Sequence, residues 1–339
     1  MRSDNGYKRE RRLNLSGFPN IIFTLLVCTT CWMIGYYKTI GYPLPIGEAT
    51  SLLWDVICRI LPAEINKLYL IGFCLLCLGA ALLQRFNFLF AIIKEKTTLP
   101  FLLFLLLNSA NPGFFPIRPI SFALFLLIFA MFELYRSYQK PNVVSRMFNM
   151  MVYLSAGSFI WPYLLWFIPV FGIGMYQFRI WNSRTLAASL LGLFTTGWIV
   201  LGWCVWKHDF AVFINLAQCV TDTCLFFTQE SWLIEWLAPL CTFSLMMIFY
   251  FQISLLEQEN TIRTRHFLSW LLISGVVAFV LSMVYASGFD DFQCVFYLSV
   301  SMILSYFFSG KYGITTSLLY YLLMAWLILL LFIRLWNFL

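Results

Sequence analysis

The stretch Tyr320–Ile333, YYLLMAWLILLLFI, carries no charge and is apolar on every side. A strand of an outer-membrane barrel alternates apolar and polar residues, so a run without alternation argues against a barrel. A helix satisfies its backbone hydrogen bonds within the segment, as hydrocarbon requires. The same texture fills the chain: 61% of its 339 residues are hydrophobic and 11% charged, which excludes a soluble globular domain. A spanning helix needs roughly 20 mostly apolar residues to cross about 30 Å of hydrocarbon, so this length holds around ten crossings. Little is left for a soluble domain.

The pattern predicts an all-α polytopic bundle, one integral membrane domain over residues 1–339, with about eleven spans. The first six are Gly17–Tyr37, Leu68–Leu83, Leu99–Ala110, Ile120–Tyr135, Phe148–Ile160 and Tyr163–Phe178. The other five are Thr185–Trp206, Trp232–Leu256, Phe267–Ala286, Phe292–Ser309 and Thr315–Leu335. The basic segment 1–16 precedes an apolar run that no small-residue cleavage site follows, so the first span is expected to be retained.

Basic residues flank the spans unevenly. With a cytoplasmic N-terminus, sixteen of the 22 Lys and Arg fall inside, and Lys38, Arg59, Lys67, Arg118, Lys207 and Arg334 fall outside. That asymmetry predicts a cytoplasmic segment 1–16, a first outer loop at 38–67 and a second at 207–231. The +7 net charge is scattered at span ends, a topology signal and no nucleic-acid surface. Nine of the fifteen acids lie on the outer side, so polar chemistry is expected there.

Two hairpins are irregular. Leu99–Ala110 would reach only about 18 Å as a helix and runs straight into NPGFFPIRP. Phe148–Ile160 is also short and is broken by Trp161-Pro162. The two read as a weak internal repeat around a recess opening outward, or as two ordinary hairpins with proline-bent corners. Short helices at membrane depth require protein or a watery cavity over the freed backbone groups.

The first outer loop contains GEATSLLWDVICRILPAEINK, Gly47–Lys67. Leu53, Val56, Ile57, Ile60 and Leu61 form one helical stripe, with Glu48, Ser51, Asp55 and Arg59 opposite, until Pro62 stops the helix. The segment is too short to span, and an interfacial amphipathic helix is expected after the first span. Glu48 and Asp55 share a face roughly 10 Å apart along the axis. They are the candidate catalytic carboxylates, and the alternative is a solvated face. Asp55 precedes Arg59 by four, a spacing that favours an ion pair of about 0.2 to 0.5 kcal/mol.

Other polar groups carry weaker signals. Asp290-Asp291 reads as a solvated turn; with Glu48 or Asp55 nearby it could help hold a divalent cation. His208 and His266 fall on opposite sides, which excludes paired-His ligation of haem or an HExxH zinc site, and no metal is assigned. Cys219 and Cys224 could form a disulfide on an oxidising side. Glu133, three before Arg136, reads as a paired, snorkelling acid. No span carries a midplane row of acids or histidines, which counts against a proton-driven transporter. No phosphate-binding glycine loop is present, and the cofactor stays unknown.

Two stretches, KEKTTLPFLLFLLLNSA (Lys94–Ala110) and AGSFIWPYLLWFIPVFGIGMYQFRIWNSRTLAASLLGLFTTGWIVLG (Ala156–Gly202), join a basic turn to Pro-marked helices. They resemble a family of multipass inner-membrane proteins of unknown function in Bacteroidota. That resemblance implies the inner membrane of a two-membrane envelope and carries over no catalytic residue. The order of cytoplasmic N-terminus, one span and an acid-bearing outer loop is similar to the start of GT-C-type membrane glycosyltransferases, which use polyprenyl-phosphate sugars. This second resemblance implies Glu48 or Asp55 as base, with Arg59, Lys67, Arg118 and Lys207 as cations for the leaving phosphate. The chain departs from that pattern in lacking an acidic pair in the loop and a large outer domain.

Three functions are therefore expected in competition: a non-catalytic subunit of an envelope assembly or export system, a GT-C-like transferase acting on a polyprenyl-linked lipid, and a transporter. The lipid bilayer is the common partner, a membrane protein complex belongs to the first reading, and nucleic acid to none.

Overall fold

The computed structural model describes residues 17–39, 51–62, 64–93, 97–207, 218, 221, 232–256, 262–309 and 314–337. Glu48, His208, Cys219 and Cys224 lie outside the described residues. The chain runs through α1 (Phe18–Thr39), α2 (Leu52–Ile60), α3 (Ile65–Phe90), α4 (Leu99–Ser109), α5 (Pro119–Arg136) and α6 (Val144–Ser158). It continues through α7 (Ile168–Gln177), α8 (Ser183–Lys207), α9 (Trp232–Leu256), α10 (Ile262–Val284), α11 (Phe289–Phe308) and α12 (Ile314–Asn337). Short 3-10 turns at Pro112–Phe114, Pro162–Phe167 and Ala286–Gly288 lead towards α5, α7 and α11. No strand occurs among the described residues.

Among the described residues seven helices are long and apolar enough to cross a membrane: α1, α3, α5, α8, α9, α10, and α11 with its leading turn. Leu99–Ser109 and the Leu318–Leu329 part of α12 are shorter apolar helical stretches. The irregular hairpins have the shape their prolines dictate. α4 stops at Ser109, and Asn111 then folds over Pro112-Gly113 with its Oδ1 accepting from the Gly113 N–H at 3.3 Å. α6 stops at Ser158, and Trp161-Pro162 opens a 3-10 turn before α7, so the single span expected at Tyr163–Phe178 is divided.

The interior is built on α4 and α11. Every residue of α4 except Phe101 is buried, and so is every residue of α11 except Asp290. A helix apolar all round is stable where other helices cover it. Buried serines reduce bulk at the contacts: Ser274 of α10 and Ser299 of α11 lie hydroxyl to hydroxyl at 2.9 Å, and Ser301 donates to the Leu298 carbonyl at 2.8 Å. Small polar residues of this kind let membrane helices approach closely.

One close approach depends on glycine. A Cβ on Gly72 of α3 would lie 1.9 Å from the Pro116 carbonyl oxygen, so the segment before α5 fits against α3 only because no side chain is there. α8 packs mainly on α6, with Trp198 and Trp206 exposed.

Candidate functional site: a charged cluster beneath a short helix

The end of the bundle bearing α2 also holds the 3-10 turns and the first turns of α5 and α11. Arg118 is the residue before α5, its N–H donating to Ser121 Oγ at 3.3 Å. Asp290 and Asp291 occupy the first turn of α11, where unpaired N–H groups favour negative charge. Arg118 Nε donates to Asp291 Oδ1 at 2.8 Å and Nη1 to Asp290 Oδ2 at 2.9 Å, and Nη1 also donates to the Gly113 carbonyl. The Arg118 and Asp290 side chains retain 24% and 22% exposure and Asp291 only 7%, so the pair is lodged at the rim and not in open water. Burial pulls the Arg118 guanidinium down, but Asp291 and Asp290 outweigh it and hold it above its ordinary value.

Amides extend the network. Asn111 Nδ2 donates to Asp290 Oδ1 at 3.1 Å and to Gln293 Oε1 at 3.2 Å, and the Tyr297 hydroxyl donates to the same Gln293 oxygen at 3.3 Å. Gln293 Nε2 is buried without a partner among the described residues. Trp161 is buried against Phe292, ring centroids 5.1 Å apart, with its indole N–H near Asp291 but outside hydrogen-bond geometry. The cluster thus ties the α4–α5 corner to the start of α11. Asp290-Asp291 is no solvated turn: the pair begins a buried helix and is neutralised by an arginine 172 and 173 residues away.

α2 docks beside this cluster. Ser51 Oγ donates to the Ile160 carbonyl at 2.7 Å and the Leu53 N–H to the Phe159 carbonyl at 3.2 Å. The free donors at the start of α2 meet the free acceptors after α6, so each helix end satisfies the other. Trp54, 1% exposed, packs on Phe122 of α5. Of the expected apolar stripe, Leu53, Ile57 and Leu61 pack against the core on the same side as Trp54, and Val56 and Ile60 are exposed.

The other expected residues are dispersed. Asp55 is half-buried and Arg59 exposed; among the described residues no ion pair joins them, contrary to the favourable spacing. Lys67 pairs with Glu64 at 2.8 Å on the exposed start of α3. Lys207 ends α8 with its ammonium 5.7 Å from the Trp203 ring centroid. Arg118 alone lies in the cluster. Glu133 faces Arg136 at 3.7 Å, the pair its spacing predicts.

Asn111, Gln293 and Trp161 were not singled out from the sequence. Asn-Pro-Gly is a turn signal and Gln293 is a polar residue within an apolar run, yet neither names its partner. Among the described residues no group of three or more His, Cys, Asp or Glu could hold a metal ion. Comparison with protein-family models, curated proteins and solved structures finds no match for the chain.

Proposed function

We propose that this chain is a non-catalytic multipass subunit of an envelope assembly or export system, seated in a bacterial inner membrane with its N-terminus in the cytoplasm and α2 on the outer side. The observation that carries the reading is how the Arg118 charge is spent: it is bound to two carboxylates and a backbone carbonyl of its own chain. A transferase acting on a polyprenyl phosphate needs cations held for the leaving group and a base at the acceptor hydroxyl. Asp55 and Arg59, not paired with each other, are instead a polar face offered to a partner protein. Exposed contacts of this type are individually worth about 0 to 1 kcal/mol, so several must act together. The excess of basic residues on the other side of the spans supports the orientation.

Purification of the intact protein in mild detergent, with identification of co-purifying proteins and lipids, tests the reading. The expected result is a defined protein complex that the double variant D55N/R59Q weakens. A bound polyprenyl lipid without a protein partner, with transfer activity abolished by D55N alone, would establish the transferase instead.

A further inference from the structure

At the opposite end of the bundle, the end of α3, the end of α5 with the turn after it, and the start of α10 line a half-open cavity of about 680 Å³. Arg136, Lys140 and Arg263 line it, together with Phe90, Tyr135 and Tyr138. We infer that this cavity binds a phosphate group, carried by an anionic phospholipid of the adjoining leaflet.

Charge is the first argument. Three cations meet in one cavity, and the only described acid paired with any of them is Glu133, 3.7 Å from Arg136. The guanidinium groups of Arg136 and Arg263 lie over the Phe132 and Phe267 rings, 5.6 and 5.1 Å from the centroids, so both are held on rigid platforms. Lys140 is fixed by a compact turn: its N–H donates to the Ser137 carbonyl at 3.1 Å, and Gln139 takes a left-handed φ of 52°.

Backbone polarity acts in the same sense. α10 is 23 residues long, and the N–H groups of its first two residues, Ile262 and Arg263 on the cavity wall, have no acceptor within the helix. Such an end favours an anion. The carbonyl end of α5 would repel one, but Arg146 donates to the Arg136 carbonyl and covers it.

The surroundings favour a lipid as the source. Leu89 and Ile262 also line the cavity and are 52% and 69% exposed. In a bilayer these side chains meet acyl chains, so a headgroup can enter while its tails stay on the outside of α3 and α10. Basic pockets between membrane helices recognise lipid phosphates by this combination.

Native mass spectrometry of the intact protein, stripped of lipid and titrated with phosphatidylglycerol, phosphatidylcholine or inorganic phosphate, tests the inference. Phosphatidylglycerol is expected to bind ahead of phosphatidylcholine, and affinity to fall roughly fivefold for each charge removed in the R136Q/K140Q/R263Q series. K140Q alone, in an exposed turn, keeps the fold intact and should show one such step. Inorganic phosphate that displaces the lipid at low concentration would support the phosphate site while moving its source to a soluble compound. Equal binding of the two lipids, or affinity unchanged in K140Q and the triple variant, would overturn it.

Discussion

Arg118 is shared by two carboxylates, so its removal is costlier than removal of either partner. Arg118→Gln leaves Asp290 and Asp291 adjacent and unpaired, and should destabilise the protein by about 3 to 5 kcal/mol, against less for Asp290→Asn, which leaves the Arg118–Asp291 pair intact. Thermal unfolding in detergent measures the order. Cys58 gives a second prediction. Burial and then the nearby Asp55 charge push its thiol above its ordinary value, so less thiolate is present at neutral pH. In a variant retaining only this cysteine, maleimide labelling should be slower than for a fully exposed thiol, quicken as pH rises, and be faster with Asp55→Asn. At this scale the sequence revealed what is local. The Glu133–Arg136 pair is legible because three residues along a helix are neighbours. The Arg118 partners are not, since no periodicity reports a contact 172 residues away. The Asp55–Arg59 spacing misleads because a gain of about 0.2 to 0.5 kcal/mol does not decide where side chains on a docked helix settle.

Among the elements, α2 is legible as a helix, and its apolar stripe is divided between the bundle and the outside. Leu53, Ile57 and Leu61 of the apolar stripe pack against the core and Val56 and Ile60 are exposed, while Trp54, next to Leu61 around the helix, is the buried anchor. Burying one large indole outweighs a pair of peripheral aliphatic side chains. Trp54→Ala should therefore release α2, with a loss of about 3 to 5 kcal/mol, and Ser51→Ala should cost only about 1 kcal/mol by removing the donor to Ile160. Protease accessibility near Arg59 reads both. Glycines supply a contrast between helices. Gly72→Ala places a methyl group onto the Pro116 carbonyl and should disrupt the approach of α3 to the α5 entrance, whereas Gly197→Ala and Gly202→Ala on α8, with nothing within 4 Å, should be tolerated. Unfolding midpoints of the three variants test this. Nothing in the sequence separates these glycines, since each lies within an apolar run.

For the molecule as a whole, helical class and repeated membrane-length segments followed from composition and periodicity. The number of crossings did not: α4, α6 and α7 are 11, 15 and 10 residues long, and hydropathy cannot distinguish a short buried helix from a span. Arg136, Lys140 and Arg263 lie at one end of the bundle and Arg118 with α2 at the other. Reporter fusions after Lys140 and after Lys207 should accordingly report opposite compartments, cytoplasmic for the first.

The burial of α11 along nearly its whole length has a bearing on biogenesis. The described helices α4, α5, α9 and α10, which pack on it, are synthesised first, so a nascent protein ending near Gly288 would have part of its shell without its axle. Until that axle arrives, α4 faces a vacancy that lipid or a membrane chaperone must fill, and a ribosome stalled at this point should yield a product rapidly cleared by quality-control proteases.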